Sequence, residues 1–177
     1  YSVEQFIIAR RLMYWQVYLH KTVLAAENLL VNILKRAKEL LKTGDTLVAS
    51  APLQFFMINK IDEGSFTSTV LEQFSKLDDV DILAAIKLWT DHKDFVLSNL
   101  CEMVLNRKLL KIKMKNKPIP KEVFKKHLDQ FTTTHKVTDK EAAYFVFTGQ
   151  IANTAYTSES QNINVLRKSG KIVDITK

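Results

Sequence analysis

Apolar positions along the chain fall into a long helical run followed by a more mixed remainder. From Phe6, apolar residues recur at helical spacing through Ala9, Met13, Val17, Leu24, Leu30, Ile33, Ala37 and Leu41, until Gly44 interrupts them. Ser2 and Gln5 supply a capping box at the start. The pattern predicts one very long helix, which at about 1.5 Å per residue would span roughly 60 Å. A compact domain of this size does not need such a length, so the helix is expected to reach into something else.

Residues 50–58 read as a short helix with Ser50 as cap and Pro52 in its first turn, followed by a polar connection around Asp62, Glu63 and Gly64. Helical periodicity resumes from Val70 to Trp89, with a break near Leu77 and Asp78 where a new cap can start, and again from Asp94 to Arg107. Leu109 to Lys115 alternates like a strand, Pro120 opens a helix through Phe131, and Thr138 with Glu141 forms another capping box. The run Tyr144 to Thr148 favours a strand, and residues 163–167 and 171–175 flank Ser169-Gly170 like a hairpin. The expected fold is mainly α, a helical segment led by one very long helix with a small α+β C-terminal lobe. We divide it at 1–108 and 109–177, with a single unit as the alternative, since no linker-like composition marks a boundary.

Composition narrows the class. With 177 residues, 46% hydrophobic and 25% charged, the chain is that of one ordinary globular domain or part of a larger one. Only 4 Gly and 3 Pro disfavour a sandwich of many short strands. The single Cys101 cannot form an internal disulfide, and no apolar run approaches the roughly 18 residues that span a membrane. No signal-peptide pattern opens the chain, so a cytoplasmic location without membrane contact is expected.

The formal net charge of +7 is concentrated. Arg107, Lys108, Lys111, Lys113, Lys115, Lys117, Lys121, Lys125 and Lys126 stand against Glu122 alone, leaving the rest of the chain about neutral. Alternation with Leu110, Ile112 and Met114 is what an edge strand guarded by lysines would show. The same stretch could bind phosphate, or less readily a nucleic-acid duplex, since no zinc-finger, homeodomain or RNA-recognition signature accompanies it.

Catalytic motifs are sparse. None of His20, His92, His127 and His135 is followed by Asp or paired as H-E-x-x-H, and neither a phosphate-binding glycine loop nor a nucleophile elbow is present. Asp91, His92 and Asp94 cluster locally, but capping by Asp94 accounts for the pattern. Cys101 reads as a core residue. The first helix differs: at about 100° per residue Arg10, Tyr14, Tyr18 and Lys21 fall within an arc of roughly 80°. Two cations and two phenols on one face suit a phosphorylated sugar, and equally an exposed or interface stripe.

The segment Ala9-Arg-Arg-Leu-Met-Tyr-Trp-Gln-Val-Tyr-Leu-His-Lys-Thr22 resembles a signature helix of the HD-domain phosphohydrolases of the dGTP/dNTP triphosphohydrolase-like family. The resemblance continues through Glu27-Asn-Leu-Leu, Leu77-Asp-Asp-Val-Asp-Ile-Leu, Asn106-Arg-Lys-Leu-Leu-Lys111 and Ser169-Gly170. It implies that Arg10 contacts the substrate triphosphate, that Tyr18 lies against the sugar, and that Tyr14, at a position often held by histidine, lines the pocket. It further implies a regulatory nucleotide role for His20, Lys21 and Arg107. The family's metal ligands, a His, a His-Asp pair and a later Asp, precede this helix and have no counterpart here. The resemblance therefore implies the C-terminal part of a longer, homo-oligomeric enzyme whose divalent metal ion is bound by a preceding HD domain. This part would contribute no catalytic or metal-binding residue and would be inactive alone. The rival expectation is a non-enzymatic helical module binding nucleic acid or a protein through residues 107–126.

Overall fold

The computed structural model describes residues 2–151 and 164–174. They form eight α-helices and one small hairpin, the mainly helical class expected, in two compact units. The first unit comprises residues 1–23 and 149–177, and the second runs from Leu24 to Thr148.

In the first unit, α1 (Ser2–Met13) is followed by a π-turn at Tyr14–Tyr18. The first helix is therefore not continuous to Gly44. Leu19 N–H donates to Tyr14 O across a widened turn at 2.8 Å, His20 N–H closes on Val17 O at 3.2 Å, and Leu19 leaves helical geometry at φ −95°, ψ 13°. A fresh helix, α2 (Lys21–Lys42), then starts with His20 Nδ1 accepting from Thr22 N–H at 3.3 Å. A local side-chain acceptor thus substitutes for the backbone ladder at the break, which apolar periodicity cannot register. The Ser2 capping side chain lies outside the described residues. The unit's hairpin pairs β1 (Asn164–Leu166) with β2 (Ile172–Asp174), antiparallel with Val165 opposite Val173. Gly170 at φ +79° makes the turn. Residues 163 and 175, the outer ends of the expected strands, lie outside the described residues.

The second unit holds the core. Helix α2 buries Ala25, Leu29, Ile33 and Ala37 along one face. It ends at Gly44, whose φ of +88° lets Asp45 N–H reach Leu40 O at 3.0 Å. Side-chain caps then punctuate the chain. Ser50 caps α3 (Ala51–Ile58) as expected, and Thr67, not foreseen from the sequence, caps α4 (Ser68–Ser75). Asp78 accepts from Val80 and Asp81 N–H at the start of α5 (Asp79–Trp89), while Asp81 answers by accepting from Asp78 N–H. Asp94 caps α6 (Phe95–Leu105). Leu29, Ile33, Ile86, Val96, Leu97, Leu100 and Cys101 are fully enclosed among these helices. Trp89 Nε1–H is satisfied by Val48 O at 2.9 Å.

Two expected strands do not form. Residues 108–115 carry no ladder; Leu109 and Leu110 are half-buried against the core edge and Ile112 is half-buried, while the lysines are exposed. Apolar/polar alternation reflects one-sided burial, and a strand additionally needs a partner for its N–H and C=O groups. Beyond α7 (Lys121–His135) and the short α8 (Asp139–Ala142), the aromatic run at Tyr144 turns back on itself, with Phe145 and Val146 N–H both donating to Ala142 O at 2.9 Å. Phe145 stacks on Phe131 at 4.8 Å instead of joining a sheet.

Leu97→Ala should lower the unfolding free energy by about 2–5 kcal/mol in a urea titration, because the enclosing helices cannot collapse fully onto the missing methyl groups. A loss below about 1 kcal/mol would contradict this packing.

Candidate functional site

The expected substrate residues sit on α1 and its π-turn. Arg10 occupies the last turn of α1, half-buried, with Tyr14 one turn on. Tyr14 and Tyr18 are brought together, their ring centroids 5.1 Å apart and their planes tilted by 51°. A π-turn widens the helix by one residue and opens a carbonyl, and such turns concentrate at functional sites. Among the described residues no hydrogen bond, ion pair or ring contact occupies the Arg10 guanidinium, so its donors are available to a ligand.

Lys21 stands on a different helix from Arg10. The arc of roughly 80° presumed uninterrupted α-helix, whereas the chain breaks at Leu19 and Lys21 begins a new one. His20 is exposed, and its Nδ1 is engaged by Thr22 N–H, leaving Nε2 as its free nitrogen. Arg107, in the second unit, stands exposed just past α6 at φ +54°. There Lys108 N–H reaches Met103 O at 2.8 Å and Arg107 N–H reaches Val104 O at 3.2 Å, the same helix stop that Gly44 makes after α2. An L-residue pays about 1–2 kcal/mol for that conformation. The remaining basic residues up to Lys126 are exposed, and none is in an ion pair among the described residues.

A polar cluster in the second unit was not foreseen. Arg36 on α2 grips Asp94 with two hydrogen bonds, Nε to Oδ1 at 3.0 Å and Nη2 to Oδ2 at 2.6 Å. It also meets Glu39 at 3.3 Å and lies 5.8 Å from the Tyr144 ring centre. Asp94 still caps α6 through Leu97 N–H at 2.8 Å. Nearby, Asp45 faces Lys93 at 3.2 Å and His92 at 3.8 Å. Burial pushes the Asp94 carboxyl up, but the Arg36 hydrogen bonds and charge, with Leu97 N–H, outweigh it and hold it below the usual carboxylate range. Burial, with the bond to Glu39, raises Tyr144 to about 12, and burial alone raises the Cys101 thiol to about 12. The cap at Asp94 was visible locally, whereas Arg36 lies 58 residues away and no local signal names it. Saturated by their own partners, these groups form a structural joint.

Among the described residues no three His, Cys, Asp or Glu side chains converge to hold a metal ion. No described helix is long and apolar enough to cross a membrane.

No family model matches the chain. It is 31% identical over 184 residues to the uncharacterized protein YwfO of Bacillus subtilis, covering all of this chain and 40% of that protein. It is 42% identical to a phosphohydrolase (BT4208) of Bacteroides thetaiotaomicron whose crystal structure is known, and the two superpose with a TM-score of 0.86. That match covers 99% of this chain and 44% of the phosphohydrolase. The chain shares the fold of the matched segment of that Bacteroides protein. It spans less than half the length of either relative.

Two outcomes are expected. Arg107→Gly should raise stability by about 1 kcal/mol by relieving the left-handed residue, read as a higher urea midpoint at unchanged slope. For the joint, a depressed folded-state pKa means stability that is present above the unfolded value of about 3.9 and lost as pH falls through the folded value. Arg36→Ala should therefore cost about 1.5–3 kcal/mol at pH 7 and show a shallower acid loss than the native chain. Parallel acid profiles for the two would sink the assignment.

Proposed function

We propose that this chain is the C-terminal, substrate-facing part of a metal-dependent HD-domain phosphohydrolase of the dNTP triphosphohydrolase-like family. The observation that carries the reading is the 42% identity to the Bacteroides phosphohydrolase across 99% of the chain; Tyr14 and Tyr18 meet at one π-turn, and Arg10 lies in the last turn of the helix before it. In the full-length protein the substrate would be a deoxynucleoside triphosphate, hydrolysed to deoxynucleoside and inorganic triphosphate. Arg10 would bind triphosphate oxygens and offset their charge as water adds at the α-phosphorus and the bond to O5′ breaks. Tyr18 would pack its ring against the deoxyribose, and Tyr14, tilted against it, would hold that ring in place and line the pocket.

The divalent metal ion belongs, in this reading, to the remainder of the protein, and the isolated chain should not catalyse. His20, Lys21 and Arg107 are candidates for a regulatory nucleotide. The assembled enzyme would be a cytoplasmic homo-oligomer. A second reading has its own support: all nine basic residues between Arg107 and Lys126 are exposed, which suits a nucleic-acid phosphate backbone.

Full-length protein supplied with Mg²⁺, Mn²⁺ or Co²⁺ should release inorganic triphosphate from a dNTP panel, and Arg10→Ala should lower kcat/KM by about 10²-fold or more. Release of pyrophosphate, or an Arg10→Ala variant of undiminished kcat/KM, would sink the pocket assignment. Binding of a single-stranded oligonucleotide that weakens steeply with salt and disappears on neutralising Lys111, Lys113 and Lys115, without any hydrolysis, would favour the second reading.

A further inference from the structure

From Lys108 to Lys115 the chain runs without a bend, yet among the described residues no N–H or C=O from Leu109 to Lys117 makes a backbone hydrogen bond. An unbent stretch of about seven residues has the length of an ordinary strand. It also has a strand's two faces. Leu110 and Ile112 are half-buried, Leu110 together with Leu109 against the core, whereas Lys111, Lys113 and Lys115 are exposed. Asn116 and Lys117 bend the chain, and Pro118 and Pro120 beyond them have no N–H to donate. The segment is bounded and two-faced like a strand, with its hydrogen-bonding edge open.

The edge restricts what can fill it. In an antiparallel pair, directly opposite residues share a face, so a second copy that sets Ile112 beside Ile112 also sets Lys111 beside Lys113. Moving the register by one residue turns the lysines of one copy onto the apolar face of the other. A parallel pair in register stacks lysine on lysine. A nucleic-acid backbone offers phosphate acceptors to the lysines and N–H groups, but nothing that donates to the open carbonyl oxygens. What fits is a strand with donors and acceptors of its own, apolar on the side that continues over Leu109 and Leu110 and not basic on the other. A protein as long as either relative carries more chain outside this segment than within it.

We propose that residues 109–115 are a strand of a sheet completed by a second strand of the same polypeptide, supplied by the part of the protein outside these 177 residues. The inference rests on the reading of this chain as part of a longer protein, and not on the reaction. The outward lysines stay exposed in such a sheet, while the apolar side is sealed against the core.

Amide hydrogen exchange, resolved by residue in the full-length protein, decides it. One partner strand bonds only every second N–H, so alternate amides from Leu109 to Lys115 should exchange at least about a hundredfold more slowly than in a free peptide, and those between them should not. The slowing should persist on dilution and in high salt. Lys113→Pro and Met114→Pro should differ: proline at the slowed position should release the whole segment, and proline at its neighbour, whose N–H faces away, should leave it slowed. Exchange near the free-peptide rate throughout, or proline variants that behave alike, would overturn the proposal. So would slowing that fades on dilution, which marks a second copy, or in salt, which marks a polyanion. A native protein no longer than these 177 residues would remove the longer-protein reading as well, whereas free exchange in a longer protein removes the strand alone.

Discussion

The second unit is organised around one two-pronged ion pair. Arg36 projects from the middle of α2, and Asp94 is the residue at which the chain enters α6, so their paired hydrogen bonds bind the two helices that enclose Leu97 and Leu100. Asp94 is committed twice, to the guanidinium and to Leu97 N–H, which fixes both the height and the direction at which α6 begins. The same guanidinium lies beside the Tyr144 ring, and Asn32, one turn earlier on α2, donates to Tyr144 O at 2.8 Å. Two segments distant in sequence, at Asp94 and at Tyr144, thus converge on one face of α2. That surface is partly buried, and among the described residues no buried side-chain nitrogen or oxygen is left without a partner.

What the sequence made legible follows from range. Caps are local: Ser50, Asp78, Asp94 and Thr138 each bind an N–H two or three residues ahead, so their positions could be read directly and the helix starts they imply are the observed ones. Strands are not local. Lys111, Lys113 and Lys115 have the alternation of an edge strand but no neighbour to pair with, and Tyr144 to Thr148 has strand-forming side chains that find Phe131 and the core instead. The break at Leu19 was hidden for a third reason. Apolar spacing continues across it, and only the acceptor on His20 and the widened turn at Tyr14 betray that the helix restarts.

The candidate site was legible to the same degree. Tyr14 and Tyr18 are neighbours because four-residue spacing survives a single widened turn, whereas the angular count that joined Lys21 to them does not carry across the restart at Lys21. Arg107 shows the opposite limit. Its left-handed backbone is set by the way α6 stops, a geometry that Gly44 meets without penalty and that no side-chain pattern announces. The Arg36 and Asp94 partnership, the feature on which α2 and α6 most depend, was the least legible, since each residue alone looks like an ordinary helix cation and an ordinary cap.

Cys101 carries a consequence of its own. The side chain is wholly enclosed and burial pushes its thiol up to about 12, so in the native state it offers neither access nor thiolate. It is the only sulfhydryl in these 177 residues. Alkylation of this chain therefore waits for the helices around Leu100 to part, and its rate becomes a clock for that opening, with no label or engineered probe added.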